Sequence, residues 1–440
     1  MRRPVPRRLA VLLVTMALAI TGLPAAAAAH GGSGGFKQVG YFTQWGIYGR
    51  AFDVKNLDTS GAAARLTHIN YAFANVSPDG KCYETAAPGE GDPWADYQWP
   101  VPAERSVDGV ADAWGEPLNG NFGQLLKLKA KHPHLKVLLS IGGWTWSTYF
   151  SNAALPENRA AFVASCIDLF LKGNLPILDG GSGGPGSAAG VFDGFDLDWE
   201  WPGSDGEPGN VIRPEDKQNF TGLVREFRQQ LDAYGRSVHR PFALTAFLPA
   251  NPSTMDAGFE GKKIFKSLDF ATVQGYDFHG TWETDTNQQS ALRVPAGSPV
   301  NPDFSLDRTV RSWLDRGAPR DKIVVGIPYY GHGWTGVSGG GDGLFQPSTG
   351  AAPGTWEAGN EDYKVLATLP GQGYTVYRDV EAGHAWLFNG TTFWNFDDPV
   401  VLLQKALYVR TQRLGGTMVW SLDGDDADAT LTKTLYLTLH

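Results

Sequence analysis

Short runs of apolar, β-branched and aromatic residues alternate with segments of helical periodicity from residue 37 to the C-terminus. Residues 38–43, 68–74, 136–141, 192–199, 242–247, 270–276, 323–327 and 416–421 read as strands. Residues 122–132, 156–172, 214–234, 305–316 and 400–414 read as helices, with Pro156 and Pro214 suited to first turns. Eight strands alternating with helices predict an α/β fold, a (β/α)₈ TIM barrel of about 250 residues. The excess length must sit in insertions. Residues 77–119 follow the second strand and carry Trp94, Tyr97, Trp99 and Trp114. A longer stretch, 334–391, separates strands seven and eight and holds β-like runs at 374–380 and 384–388. A small α+β insertion domain is expected there, with the barrel over 37–333 and 392–440. Both segments would rise from the C-terminal mouth, where barrel active sites lie. The eighth strand is followed by one helix, so no appended module is expected.

The fourth strand departs from the pattern of a core strand. Val191-Phe-Asp-Gly-Phe-Asp-Leu-Asp-Trp-Glu-Trp-Pro202 carries four carboxylates. In an extended chain Asp196, Asp198 and Glu200 share one face, and Phe195, Leu197 and Trp199 the other. Asp193 is out of phase and needs a bend at Gly194, which suits structural support. Like charges this close repel, so a proton must be held among them and one carboxyl kept acidic near neutral pH. A general acid acting on a leaving-group oxygen requires that property. Glu200 lies nearest the strand end, before Trp201-Pro202, and should reach farthest toward a substrate. No HExxH-type pair occurs among the nine histidines, and neither a metal nor another cofactor is expected. The glycine-rich stretch 178–190 lacks a following Gly-Lys-Ser/Thr and reads as a flexible loop, not a phosphate cradle.

Composition narrows the setting. Residues 1–29 pair a basic start with an apolar run and an alanine-rich cleavage zone, a secretory signal; 30–36 form a short tail. Arg2-Arg3 and Arg7-Arg8 leave the export route open. A secreted monomer is expected. A net charge of −9 argues against nucleic acid or an anionic membrane as partner. Fifteen tryptophans exceed what a core needs and suit a cleft that stacks sugar faces. Cys82 and Cys166 are the only cysteines. Phe162, Cys166 and Phe170 recur at helical spacing, which favours a buried helix-face cysteine over a disulfide.

Other strand ends add chemistry: Ser140-Ile-Gly-Gly-Trp144, Gly275-Tyr-Asp-Phe-His-Gly280, and Trp420 on the eighth strand. Here a resemblance emerges. Asp193-Gly-Phe-Asp-Leu-Asp-Trp-Glu200 matches the DGxDxDxE signature of family 18 glycoside hydrolases, and Ser140-Ile-Gly-Gly143 matches their SxGG motif. The chain resembles that family's bacterial, actinobacterial-type chitinases, including the deep-cleft subgroup with an insertion domain.

The resemblance implies hydrolysis of β-1,4-linked N-acetylglucosamine in chitin and chito-oligosaccharides. Glu200 would be the acid and base. Asp198 would orient the substrate's 2-acetamido group, whose carbonyl oxygen is the nucleophile, giving retention. Asp196 would share a proton with Asp198, supported by Tyr41 and Ser140. Tyr276 would bond the acetamido carbonyl, Asp277 would contact the sugar, and Trp420 would floor its pocket. Trp45, Phe73 and Trp144 would line subsites. Gln274 and His332 stand where the family often has methionine and arginine, which bears on specificity and pH optimum. An endo-β-N-acetylglucosaminidase acting on N-glycans and a non-hydrolytic chitin-binding lectin are the alternatives on the same barrel.

Overall fold

The computed structural model describes residues 35–300 and 304–440; the signal read at 1–29 lies outside the described residues. Eight parallel strands form the barrel: Lys37–Thr43, His68–Val76, Lys136–Gly142, Gly194–Asp198, Ala243–Leu248, Phe270–Val273, Ile323–Pro328 and Gly416–Trp420. Each pairs with its neighbour in chain order, and the first pairs with both the second and the eighth, which closes the sheet. Outward-facing residues pack on the helices: Phe195 meets Phe227 of helix Asp216–Val238 at 5.6 Å between ring centres. Inward-facing positions are unusually polar, with Asn70, Ser140, Asp196, Thr245 and Thr272 all fully buried. Most buried polar groups are hydrogen-bonded, and here Ser140 and Thr245 both donate to Asp196 of the fourth strand.

That strand is shorter than its apolar pattern suggests because Asp193 is diverted. It accepts a hydrogen bond from Val137 N–H at 2.8 Å and pairs with Lys129 at 2.8 Å and with Arg240. Gly194 permits the bend, since a Cβ there would lie 2.0 Å from Ala243 O. The helix expected at 156–172 runs Arg159–Cys166 and then widens at Ile167–Leu171, with Lys172 N–H reaching Ile167 O. Pro156 and Pro214 precede their helices, which start at Arg159 and Asp216.

Cys82 and Cys166 form a disulfide, which corrects the sequence expectation of a free helix-face thiol. Helical spacing placed Cys166 correctly in the core; it could not show the short strand Cys82–Tyr83 folding back on Asn75 and Val76 to meet it. A second sheet, antiparallel and six-stranded, follows the seventh barrel strand. It runs from Tyr330–Thr335 to Thr392–Phe396 and has its own small core of Trp334, Trp386, Phe388 and Phe393.

The segment after the second strand is tied to the mouth by a buried pair of acids. Asp96 accepts from Gln44 Nε2 at 2.6 Å and from Tyr71 Oη, while Glu84 faces it with a buried Oε2 that has no donor among the described residues. Burial, then the charges of Asp96 and Asp92, pushes Glu84 well above the carboxylate range, and burial pushes Asp96 up to about 7. Both folded values exceed the unfolded ones. The stability that Asp96 contributes is therefore full in acid and lost as pH rises through about 7, and Glu84 acts in the same direction. Glu84→Gln is expected to flatten this dependence, because an amide donates to Asp96 at every pH. Melting temperatures from pH 5 to 9 check it; equal slopes in both proteins would refute the pairing. The tether bears on the cleft because Gln44 precedes Trp45.

Candidate active site

Glu200 follows the fourth strand at the mouth, and local contacts fix its backbone. Its N–H donates to Ser147 Oγ at 2.9 Å, and its carbonyl accepts from Asn210 Nδ2 at 3.0 Å. Ser147 Oγ also donates toward Gly143 O at 2.8 Å. The turn at Gly142 comes so close that a Cβ would lie 2.4 Å from Asp198 O, at a φ of 104° that glycine tolerates.

Below Glu200, the face alternates as the strand period requires. Asp196 is saturated by hydroxyls: Tyr41 Oη at 2.7 Å, Ser140 Oγ at 2.9 Å and Thr245 Oγ1 at 2.5 Å. Ser140 and Thr245 are its register partners on the flanking strands. The carboxyl-to-carboxyl hydrogen bond runs between Asp198 and Glu200, not between Asp196 and Asp198 as the resemblance implied. Two ionised carboxylates would offer acceptors alone, and Asp198 Oδ1 is buried without a donor. A proton held between the pair removes that mismatch.

Electrostatics agree. Burial, then the charges of Glu200 and Asp196, holds Asp198 well above the carboxylate range. Burial and then the Asp277 charge push Glu200 up to about 8, with the Asp198 hydrogen bond acting in the opposite direction. Asp196 is raised by burial against its hydroxyl donors. The upper pair thus stays protonated at neutral pH, as a general acid must.

Around this ladder the sequence candidates converge. A cleft of about 310 Å³ is lined by Tyr41, Trp45, Phe73, Trp144, Asp198, Glu200, Tyr276, Asp277 and Trp420. Asp196 and Ser140 lie beneath it, and Asp193 sits apart, in its ion pairs. Trp420 stacks on Phe73 at 5.7 Å and 17°, forming an aromatic floor with Tyr41 at 5.2 Å. Trp45 and Trp144 are 40% and 47% exposed, so their faces are open to a ligand. Asp277 adopts a φ of 55° and accepts from Tyr330 Oη at 2.5 Å, with His332 Nε2 at 2.8 Å.

Thr145, Phe247 and Gln274 also line the cleft; Thr245, Ser147 and Tyr330 support it. Of these, only Gln274 was singled out from sequence, as a position that bears on specificity. Strand register would have exposed Thr245, whereas Ser147 and Tyr330 depend on how loops turn back. Among the described residues no cluster of three or more His, Cys, Asp or Glu is arranged to hold a metal, and no helix is long and apolar enough to cross a membrane.

Comparison with known proteins places the chain. It is 40% identical over 403 residues to "Chitinase C" of Streptomyces lividans, covering 90% of this chain and 58% of that protein. Against "Chitinase 63" of Streptomyces plicatus it is 39% identical, covering 90% and 60%. The chain thus spans less than two thirds of either relative. The solved catalytic domain of psychrophilic chitinase B from Arthrobacter TAD20 superposes with a TM-score of 0.88 at 44% identity, covering 92% of this chain and 95% of that one. A profile of the glycosyl hydrolases family 18 matches residues 37–425. The chain belongs to family 18 of the glycosyl hydrolases.

Proposed function

We propose that this protein is a chitinase that cleaves β-1,4-linked N-acetylglucosamine with retention, using the substrate's acetamido group as nucleophile. The observation that carries the reading is the ladder of Asp196, Asp198 and Glu200 rising into a cleft with an aromatic floor. Glu200 gives its proton to the glycosidic oxygen as the bond to the anomeric carbon breaks. The acetamido carbonyl oxygen closes on that carbon, the substrate-assisted route that dispenses with an enzyme nucleophile. Asp198, its shared proton released, turns to the positively charged acetamido N–H. Glu200, now a carboxylate, takes a proton from the water that opens the ring. Tyr276 Oη, which has no partner among the described residues, is available to bond the acetamido carbonyl, and Asp277 to contact the sugar. Trp45, Phe73, Trp144 and Trp420 stack on sugar rings.

The relatives' names support the substrate class. The second sheet reaches the cleft through Tyr330 and His332, which supports an insertion domain at about 334–391 walling a groove. The disulfide suits an oxidising compartment, in keeping with a secreted protein. Incubation with the N-acetylglucosamine hexamer, followed by NMR during the first turnovers, tests the reading. Shorter oligomers appearing first as the β-anomer are expected. Binding without turnover would indicate a lectin, and α-anomers would indicate inversion.

A further inference from the structure

We infer that Gln274 is a substrate-binding residue, its side-chain amide donating to an oxygen of the bound amino sugar. This inference rests on the function proposed above.

Gln274 follows the sixth barrel strand, Phe270–Val273, and its N–H is anchored to Leu248 O at 2.9 Å. Thr272, Gln274 and Tyr276 recur at the two-residue period that turns side chains to one side. Thr272 is fully buried in the barrel interior, whereas Gln274 and Tyr276 reach the cleft. The amide has a defined orientation. Ala250 N–H donates to it at 3.1 Å, and a backbone N–H can be met only by the oxygen, so Oε1 is committed to the wall. Nε2 must then point away from Ala250, and among the described residues it has no partner. Two N–H donors are thereby presented beside Phe247 and Tyr276 in a cleft that also holds the acids Asp198, Glu200 and Asp277.

The chemistry of the ligand calls for such a group. The proton shared by Asp198 and Glu200 is committed to the leaving oxygen and Tyr276 Oη to the acetamido carbonyl, so the sugar's hydroxyl oxygens call for a further donor. An amide held by its own oxygen is preorganised to donate, so little side-chain entropy is lost on binding.

The test measures affinity for the N-acetylglucosamine tetramer by calorimetry in a Glu200→Gln parent, where turnover does not interfere. Two variants are added to that parent. Q274E keeps an acceptor for Ala250 N–H and removes the donors; Q274M removes both. Each is expected to weaken binding by roughly 3- to 10-fold, the range for one net hydrogen bond, and only Q274M is expected to lower the melting temperature. Parent-like affinity in both variants overturns the inference while leaving the chitinase reading intact. Weakening in Q274M alone also overturns it, because the residue would then serve only to hold Ala250. A parent that fails to bind the tetramer removes the chitinase reading and this inference together.

Discussion

Glu200→Gln is expected to lower kcat on chito-oligosaccharides by at least roughly 10²-fold, the lower end of what a positioned general acid supplies. Gln retains the size and hydrogen-bonding reach of Glu but has no proton to give the leaving oxygen and cannot later take one from water. Both halves of the reaction therefore suffer. Binding should change little, because the stacking surfaces of Trp45, Phe73, Trp144 and Trp420 are untouched, and KM should stay within about threefold if chemistry limits turnover. In the parent enzyme kcat/KM should fall on the alkaline side as pH rises through about 8, where Glu200 of the free enzyme gives up its proton. Steady-state kinetics from pH 5 to 10 check both statements. Near-normal turnover in the variant would remove Glu200 from the mechanism.

Asp198→Asn is expected to cost on the order of 10²-fold in kcat, comparable to removing a preorganised electrostatic contact to charge that develops in the transition state. The carboxylate of Asp198 becomes available as Glu200 releases the shared proton, and it then faces the positively charged acetamido N–H. An amide cannot supply that charge. The substitution also alters the acid: with Asn at 198, ionising Glu200 no longer leaves two coupled carboxylates side by side, which favours its charged form. The alkaline limb of the rate profile should consequently move to lower pH than in the parent. A loss of rate with an unshifted limb would contradict the coupling between the two groups.

The extent to which this site was legible follows from which forces are local. Strand period alone separates Asp196, Asp198 and Glu200 from Phe195, Leu197 and Trp199, and strand order alone puts Trp144, Tyr276 and Trp420 at one mouth. Asp193 could be set aside because it breaks the alternation, and its ion pairs with Lys129 and Arg240 explain why it is an acid. Pairing between elements was hidden. Whether Asp198 bonds Asp196 below or Glu200 above depends on Thr245, Tyr41 and Ser140 having filled the lower carboxylate first. Those contacts come from three different strands, and periodicity within one strand carries no information about them. The disulfide was missed for the same reason: Cys166 satisfies a helix pattern by itself, and its bond depends on a two-residue strand 84 positions away. The amide orientation of Gln274 likewise depends on a single backbone N–H of a neighbouring loop.

In the proposed reaction the substrate's acetamido oxygen, not a group of the protein, attacks the anomeric carbon. The most direct measurement compares kcat for two aryl glycosides of the same chito-oligosaccharide, identical except that the sugar being cleaved carries N-acetyl in one and N-trifluoroacetyl in the other. Fluorination leaves the shape nearly unchanged while draining electron density from the carbonyl oxygen. A fall in kcat of roughly tenfold or more with little change in KM is expected, the signature of an interaction made in the transition state. Equal kcat values, or a covalent sugar adduct on the protein, would contradict that reaction.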